Sequence, residues 1–229
     1  MNIIRGRKKM KNIFGDKATL IPRKMLKDPQ GKWTVRDFTG PQGTSVGMGQ
    51  GVLAAMAKKG YVERFKEGPH SHTILTNQEL LIKDWVKEYA FELNKVETYY
   101  SSDKDIIRKI RQYLKEEQYA LTLHTGANLR TSFVRTDEVH FYVNLAEWDK
   151  GILRIRQHLD LKELVTGGNV HIIRPFYKKS VFFNAQNIKG YPVVSNLQLY
   201  LDLYNFQPRG REHAEHLRSL LTESGKRLD

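Results

Sequence analysis

The sequence of 229 residues predicts an α+β protein built in two parts. The chain is longer than the roughly 100–150 residues that are most common for one domain. In its first third, helical patterns precede two short strand patterns, whereas strand and helix patterns alternate over the remainder. Alternation of this kind is typical of a sheet covered by helices, so we expect the second part to be a mixed α/β domain.

The composition supports a folded protein and removes several classes of chemistry. Apolar residues make up 40% of the chain and charged residues 28%, which is enough for a packed core. The chain has no cysteine, which excludes disulfides, thiolate nucleophiles, zinc ribbons and iron–sulfur clusters. No apolar run reaches the roughly 18–20 residues of a membrane-spanning helix, and the basic start lacks the apolar stretch of a secretion signal. We therefore expect a soluble, cytoplasmic protein.

Positive charge is concentrated in the first third of the chain. Of the formal net charge of +13, residues 1–75 contribute +10, with 15 Lys and Arg against 5 Asp and Glu. Residues 76–229 hold 23 basic and 20 acidic side chains, a balance of +3. Because the neutralisation of phosphates releases condensed counterions, this asymmetry favours a polyanionic partner for the first third. The alternative is a basic segment that aids solubility and has no partner.

The N-terminal elements begin with a basic arm, residues 1–17, which has no clear period. Apolar side chains on one side of residues 18–27 predict the first helix. Thr34 can cap a short second helix, with Asp37 in the acidic position of a capping box. A turn rich in glycine and proline follows, and Gly60 closes a third helix that precedes two strand patterns.

The third helix can be capped by Thr44 or by Ser45. Apolar or small residues at helical spacing are expected to face the interior, namely Val46, Gly49, Leu53 and Met56. The strands at 61–65 and 72–75 complete the order of helix, helix, turn, helix and two-stranded ribbon. That order predicts a winged helix-turn-helix over residues 18–76, so the fold class is α+β, with this domain followed by the mixed α/β domain.

The outer face of the third helix is the predicted site of DNA contact. Small residues would let the helix approach base edges closely, and its outer arc is expected to hold Thr44, Gly47, Met48, Gly51, Ala55 and Lys58. The residues expected to face the groove are Thr44, Ser45, Met48 and Gln50. The side chains expected to hold phosphates are Arg36, Lys58, Lys59 and Arg64. The wing is expected to contain Arg64, Lys66, His70 and His72. A protein-docking or purely structural role for this fold is the alternative.

The remainder of the chain is predicted to be a connector helix at 77–94 and an α/β domain at 95–229. Strands are expected at 96–101, 119–124, 139–145, 170–174 and 181–184. Helices are expected at 103–117, 195–204 and 211–221, with a turn or short helix at 126–128. The aromatic residues in these strands are interpreted as core, because they follow the strand alternation.

No catalytic or metal site is recognisable from spacing. The histidine pairs at 70/72 and 213/216 lack further ligands at a metal-binding spacing, and the glycine run 47–51 does not fit a nucleotide loop. Asp137 and Glu138, with Lys150 or Arg154 nearby, could imitate a nuclease pair, but adjacent acidic residues before a strand usually mark a turn. We expect no enzyme activity, no cofactor and no metal.

A polar pair is predicted inside the C-terminal helices. Gln198 and Asp202 lie one turn apart on a helix that is apolar at its other positions, so the helix should be buried on more than one side. Buried Gln and Asp side chains need hydrogen-bond partners, and Arg209 or Arg211 are the candidates. We interpret this group as a polar clasp that holds the C-terminal helices together.

Two C-terminal segments resemble a known family of proteins. They are PVVSNLQLYLDL at 192–203 and RGREHAEHL at 209–217. Both are similar to the ending of AbiE-type antitoxins of the AbiEi group, predicted transcriptional regulators of type IV toxin–antitoxin (abortive infection) systems. Shorter segments are also similar to the family: residues 33–36 and 58–62 to its winged-helix region, 80–89 to its connector and 168–170 to the start of a strand. Together these segments extend the resemblance over residues 18–221.

The resemblance implies an N-terminal DNA-binding domain and a C-terminal antitoxin domain. In such systems, which act in phage defence, the antitoxin represses its own operon and counters a partner toxin similar to nucleotidyltransferases. The implied partners are therefore double-stranded operator DNA and such a toxin, and a homodimer would suit paired half-sites. The residues alone leave two alternatives, a non-catalytic protein-interaction module on a winged-helix scaffold and a nuclease-like α/β domain.

Overall fold

The computed structural model describes residues 11–228 and confirms the mixed α+β class, with two sheets in this part of the chain. The chain divides into two compact units between Asp84 and Trp85, within the predicted connector. Residues 1–10 of the predicted basic arm lie outside the described residues. Between residues 11 and 228, no helix is both long and apolar enough to cross a membrane.

The first unit contains helices and a two-stranded antiparallel sheet. In chain order its elements are a 3-10 turn Asp16–Thr19, α1 Leu20–Lys27, a 3-10 turn Val35–Phe38, α2 Val46–Lys58, β1 Val62–Phe65 and β2 His72–Leu75. Helix α3 Gln78–Glu88, within the predicted connector, contains the boundary between the units. The helix that was predicted as the third is α2. The short helix predicted after Thr34 is a single 3-10 turn, and Thr39 at its end is already extended.

Side-chain caps fix where the helical segments of the first unit begin. Thr34 and Asp37 form the predicted capping box, in which the Thr34 amide donates to the Asp37 carboxylate over 2.6 Å. Ser45 caps α2 by accepting a hydrogen bond from the Met48 amide over 3.3 Å. The core beneath these caps comes from apolar residues of α1 and α2, with Met25 and Leu53 completely buried.

The second unit is organised around a six-stranded mixed sheet with the strand order β3-β6-β5-β4-β8-β7. Its strands are β3 Lys95–Tyr99, β4 Tyr119–Leu121, β5 Val139–Val143, β6 Val170–Arg174, β7 Gln186–Ile188 and β8 Tyr191–Val193. The central pair, β5 and β6, is parallel and in register, with His140 opposite His171. Every residue of β5 is buried, as expected for a strand covered on both faces.

Helices pack around this sheet and provide the rest of the core. They are α4 Ile106–Tyr113, α5 Leu123–Thr131, α6 Trp148–Leu159, α7 Asn196–Tyr204 and α8 Gly210–Glu223. Residues 196–203 of α7 are all buried, which confirms the prediction of burial on more than one side. Gly210 begins α8 where an added Cβ would clash with the Leu203 carbonyl and the Phe206 side chain. Close packing therefore explains the glycine in the RG dipeptide of this segment.

The second unit differs from the sequence prediction in several places. The strand expected at 119–124 ends at Leu121 and is followed by helix α5. The segment 181–184 is a turn rather than a strand, and its amides bond three or four residues back, as Val181 does to Tyr177. Its apolar residues are there because the turn packs inward, since Val181 is 1% exposed. Helix α6 and the short strands β7 and β8 were not predicted, although Ile152, Ile155 and Leu159 give α6 a helical apolar face.

Candidate functional site

Helix α2 presents one exposed face and one buried face. Its exposed residues include Gly47, Gln50, Ala54 and Lys58, which recur every three or four positions along one side. A Cβ built on Gly47 would have no described heavy atom within 4 Å, apart from atoms of the neighbouring residues in the helix. The backbone at the start of α2 is therefore open to close approach by another molecule.

The structure places most of the predicted DNA-contact residues at the surface. Exposed side chains in this set are Arg36, Ser45, Gln50, Lys58, Lys59, Arg64 and Lys66, and Met48 is half-buried. The prediction that Thr44 lies on the outer arc is wrong, because this residue is 2% exposed and its hydroxyl donates to the Phe38 carbonyl. Thr44 precedes the helix, so helical spacing does not apply to it.

Two further positions on α2 have the opposite exposure to that predicted. Ala55 was expected on the outer arc but is 3% exposed, and Val46 was expected inside but is 54% exposed. Val46 is the first residue of the helix, where the following turn does not yet cover an apolar side chain. The exposed face is thus rotated from the predicted one and includes Ala54.

The exposed cations near α2 are available for an external partner. Within residues 11–228, none of Arg36, Lys58, Lys59, Arg64 and Lys66 forms a salt bridge. Helix α2 contains no acidic residue. A face with this composition is positively charged and small in side-chain volume, which suits a polyanion.

The side chain of Lys11 lies against α2, a contact that spacing in the sequence did not reveal. A Cβ placed on Gly51 would come within 2.8 Å of Cγ of Lys11. Glycine at this helical position therefore gives room for a lysine from the N-terminal segment. The contact brings another basic residue to α2.

The ribbon β1–β2 ends in a compact tip. A 3-10 turn at Gly68–His70 joins the strands, and Ser71 accepts a hydrogen bond from the Glu67 amide over 3.1 Å. His72 stacks on Phe65 with ring centroids 4.9 Å apart. These contacts shape the tip that was predicted to serve as the wing.

A buried carboxylate lies at the polar centre of the second unit. Asp202 of α7 is completely buried and accepts hydrogen bonds from Tyr89 over 2.7 Å and from Gln198 over 2.7 Å. Thr122 donates over 2.5 Å to its other oxygen, and Tyr142 lies within 3.1 Å of both oxygens. Burial raises the pKa of Asp202 to about 6, although these donors oppose the shift.

The predicted partners of this carboxylate are wrong. Arg209 bonds the Glu212 carboxylate over 3.0 Å, and Arg211 packs over the Tyr204 ring at 4.5 Å. Neutral hydroxyl and amide donors replace a cation around Asp202, which spares the desolvation of a second charge. Gln198 belongs to the predicted polar pair, whereas Tyr89, Thr122 and Tyr142 were not predicted to bond this carboxylate.

Four histidines form two stacked pairs in the second unit. His140 and His171 stack with ring centroids 4.1 Å apart, and His124 and His213 stack at 5.1 Å with their Nδ1 atoms 2.8 Å apart. Burial lowers the pKa of His140 to about 3 and that of His213 to about 4. His216, the other member of the predicted pair, stacks on Phe133, whose ring also lies 5.5 Å from that of His213.

A cavity of about 700 Å³ adjoins the start of β5. The acidic pair Asp137 and Glu138 lines it together with Asp103 and Lys104. Asp103 is held by Lys109 over 2.5 Å. Neither Lys150 nor Arg154, the basic residues suggested for a nuclease pair, lines this cavity, and Lys150 bonds Glu147 over 2.5 Å.

Comparison with known proteins gives one informative match. A family model described as "Transcriptional regulator, AbiEi antitoxin, Type IV TA system" matches residues 74–222. These residues make up more than half of the chain. No curated protein and no solved structure matches the chain.

Proposed function

The chain belongs to the family of AbiEi antitoxins, transcriptional regulators of type IV toxin–antitoxin systems, and we propose that it represses transcription by binding duplex DNA through its first unit. The family match begins at residue 74, so support for DNA binding comes from the chemistry of residues 18–76. We assign to these residues a winged helix-turn-helix. Helix α2 would be the recognition helix and the β1–β2 ribbon the wing.

The exposed face of α2 is the observation that carries this proposal. Its small residues Gly47 and Ala54 would let the helix axis come close to base edges in the major groove. Gln50 lies on the same face with a side chain that can pair bidentately with adenine. Lys58 is at the end of this face, where a phosphate of the flanking strand would lie.

The contacts divide into positioning and reading roles. The side chains assigned to phosphates are Arg36, Lys58, Lys59, Arg64 and Lys66. The side chains assigned to the groove are Ser45, Met48 and Gln50. Because the positioning contacts are all ionic, we expect binding to weaken strongly with added salt.

The antitoxin role supplies a second partner, since an antitoxin of this kind has a cognate toxin. We assign to that toxin a nucleotidyltransferase-like chemistry, on the basis of the resemblance of the C-terminal motifs. The repressor would meet both DNA and toxin in the cytoplasm. Pairing of two copies of the chain would match an operator with two half-sites.

Sequence-specific binding is the direct test of the repressor proposal. In a gel-shift assay at about 150 mM salt, DNA from upstream of the chain's own operon is expected to bind at least about a thousandfold more tightly than random duplex. The reason is that groove contacts add to the phosphate contacts only at the correct sequence. Equal affinity for both DNAs, or no binding to either, would contradict the proposal and favour the protein-interaction alternative.

Replacement of Lys58 and Lys59 by glutamine should identify the phosphate contacts. We expect the slope of log K against log salt to become shallower by about 2, because each lost phosphate contact removes about 0.9 from the slope. The measurement is a salt titration of DNA binding by fluorescence anisotropy. The matched control, Lys162→Gln with Lys178→Gln, changes two exposed lysines of the second unit and should leave the slope unaltered. An unchanged slope in the Lys58/Lys59 variant would remove this end of α2 from the interface.

A further inference from the structure

We propose that Glu138, His140 and His171 bind a divalent transition metal ion of the zinc class in the second unit. One potential ligand atom of each residue lies within 4.8 Å of those of the other two. His140 and His171 are direct neighbours on the parallel strands β5 and β6, and Glu138 precedes β5. The strand pairing thus brings together one carboxylate and two imidazoles, although the two histidines are 31 positions apart in the sequence.

The ring nitrogens of both histidines include atoms that lack a protein partner. His171 directs Nδ1 to the Thr98 hydroxyl over 3.0 Å, and its buried Nε2 has no hydrogen-bond partner among the described residues. His140 is 3% exposed; its Nε2 lies 4.0 Å from the Glu138 carboxylate, and its Nδ1 is buried without a partner in this part of the chain. Since a buried unpaired polar atom carries a free-energy cost, a metal ion that accepts the lone pair of His171 Nε2 would offset that cost.

His171 already makes the outer hydrogen bond that ligating histidines commonly have, while its ring stacks on that of His140. Ligating histidines usually bond an oxygen through the nitrogen that does not face the metal, which fixes the tautomer and the ring plane. The Thr98 hydroxyl occupies that place, and Thr98 is the register partner of His171 on β3. Thr98 is therefore a positioning residue for the proposed site.

The donor set selects the class of ion. Two imidazoles and one carboxylate suit Zn²⁺ and its neighbours in the first transition row, whereas Mg²⁺ and Ca²⁺ prefer oxygen ligands throughout. In a tetrahedral site with bonds of about 2.0–2.1 Å the ligand atoms are roughly 3.3 Å apart. The separation of up to 4.8 Å must therefore contract on binding, and the stacked rings of His140 and His171, whose planes are 10° apart, must turn so that both in-plane lone pairs converge on the ion. Glu138, with its side chain 49% exposed, has room to move.

The neighbouring cavity provides a route to the site. Glu138 is one of the residues that line the cavity of about 700 Å³ beside β5. A metal with three protein ligands keeps a fourth position for water or another ligand. Polar cavity residues such as Thr136 and Asn169 would surround a molecule bound at that position. The site is thus both assembled by the sheet and reachable from solvent.

Titration of the chelator-treated full chain with Zn²⁺ tests this inference, with affinity measured by competition with a chromophoric chelator. We expect one tight site, with the dissociation constant raised at least about tenfold by Glu138→Gln and by His171→Ala, since each removes a ligand. Glu138 is half-exposed, so its variant is expected to fold even if a variant of buried His140 does not. Thr98→Val should weaken binding by about 10–100-fold through loss of orientation.

The matched control is His158→Ala, which changes an exposed histidine that bonds the Arg154 carbonyl and stacks on Tyr113. Its affinity for Zn²⁺ should equal that of the unaltered chain. Co²⁺ bound in place of Zn²⁺ should show the intense visible absorption of a tetrahedral ion, and this signal should be lost in Glu138→Gln. No tight binding, or tight binding that survives both ligand variants, would overturn the inference irrespective of whether the chain binds DNA.

Discussion

Replacement of Asp202 by alanine is expected to lower the free energy of unfolding of the second unit by about 3–5 kcal/mol. The completely buried carboxylate accepts hydrogen bonds from Tyr89, Thr122, Tyr142 and Gln198, and alanine would leave all four donors without their acceptor. A buried donor without a partner costs about 1–3 kcal/mol. The total stays below the sum of four such costs because the Tyr89 and Tyr142 hydroxyls, 3.3 Å apart, can bond each other.

Urea denaturation followed by far-ultraviolet circular dichroism and by tryptophan fluorescence measures this loss. Asp149→Ala is a suitable control, because Asp149 is an exposed acidic residue of the same unit, at the start of α6. The control should change the unfolding free energy by no more than about 1 kcal/mol. If Asp202→Ala is as mild as the control, the carboxylate does not hold this core together.

The stability of the second unit is also expected to depend on pH through Asp202. Burial raises the pKa of this carboxyl from 3.8 to about 6, so the folded state holds a proton that the unfolded chain releases between these values. The stabilising contribution of the protonated form is therefore complete below pH 3.8 and is lost as the pH rises through about 6. The size of this loss is about 3 kcal/mol.

Comparison with Asp202→Asn isolates this effect from other titrating groups. The unfolding free energy of the unaltered chain minus that of Asp202→Asn should fall by about 2–3 kcal/mol from about pH 4 to about pH 7. Urea melts of both proteins across this range provide the difference. A difference that stays constant, or that grows with pH, would show that the carboxyl is ionised in the folded state throughout.

Local signals in the sequence predicted the elements of the first unit well. The Thr34 and Asp37 capping box and the Ser45 cap are interactions between residues three positions apart, so a short window contains both partners. The same window could not place Thr44, whose burial depends on the path of the chain from Phe38. Within the helix, spacing placed Gln50 at the surface correctly but also placed Ala55 there, which is 3% exposed.

In the second unit, the sequence could indicate which groups need partners but not which partners they have. The buried state of Asp202 followed from the apolar helix around it, whereas its donors Thr122 and Tyr142 are 80 and 60 positions away. The proposed metal-binding cluster depends in the same way on strand order, because His140 and His171 are neighbours only where β5 pairs with β6. The apolar turn at 181–184 looked like a strand because burial alone does not distinguish the two.

The single acceptor at Asp202 has a consequence for how the second unit assembles. Its donors come from the residue after α3, the residue after β4, from β5 and from α7, and the longest separation, from Tyr89, spans 113 positions. Closing such long loops costs conformational entropy that is recovered only when the final contacts form. The buried carboxylate therefore has all of its hydrogen-bond donors only after all four segments have come together. Partly assembled forms gain little from it, so the carboxylate makes folding of this antitoxin unit cooperative.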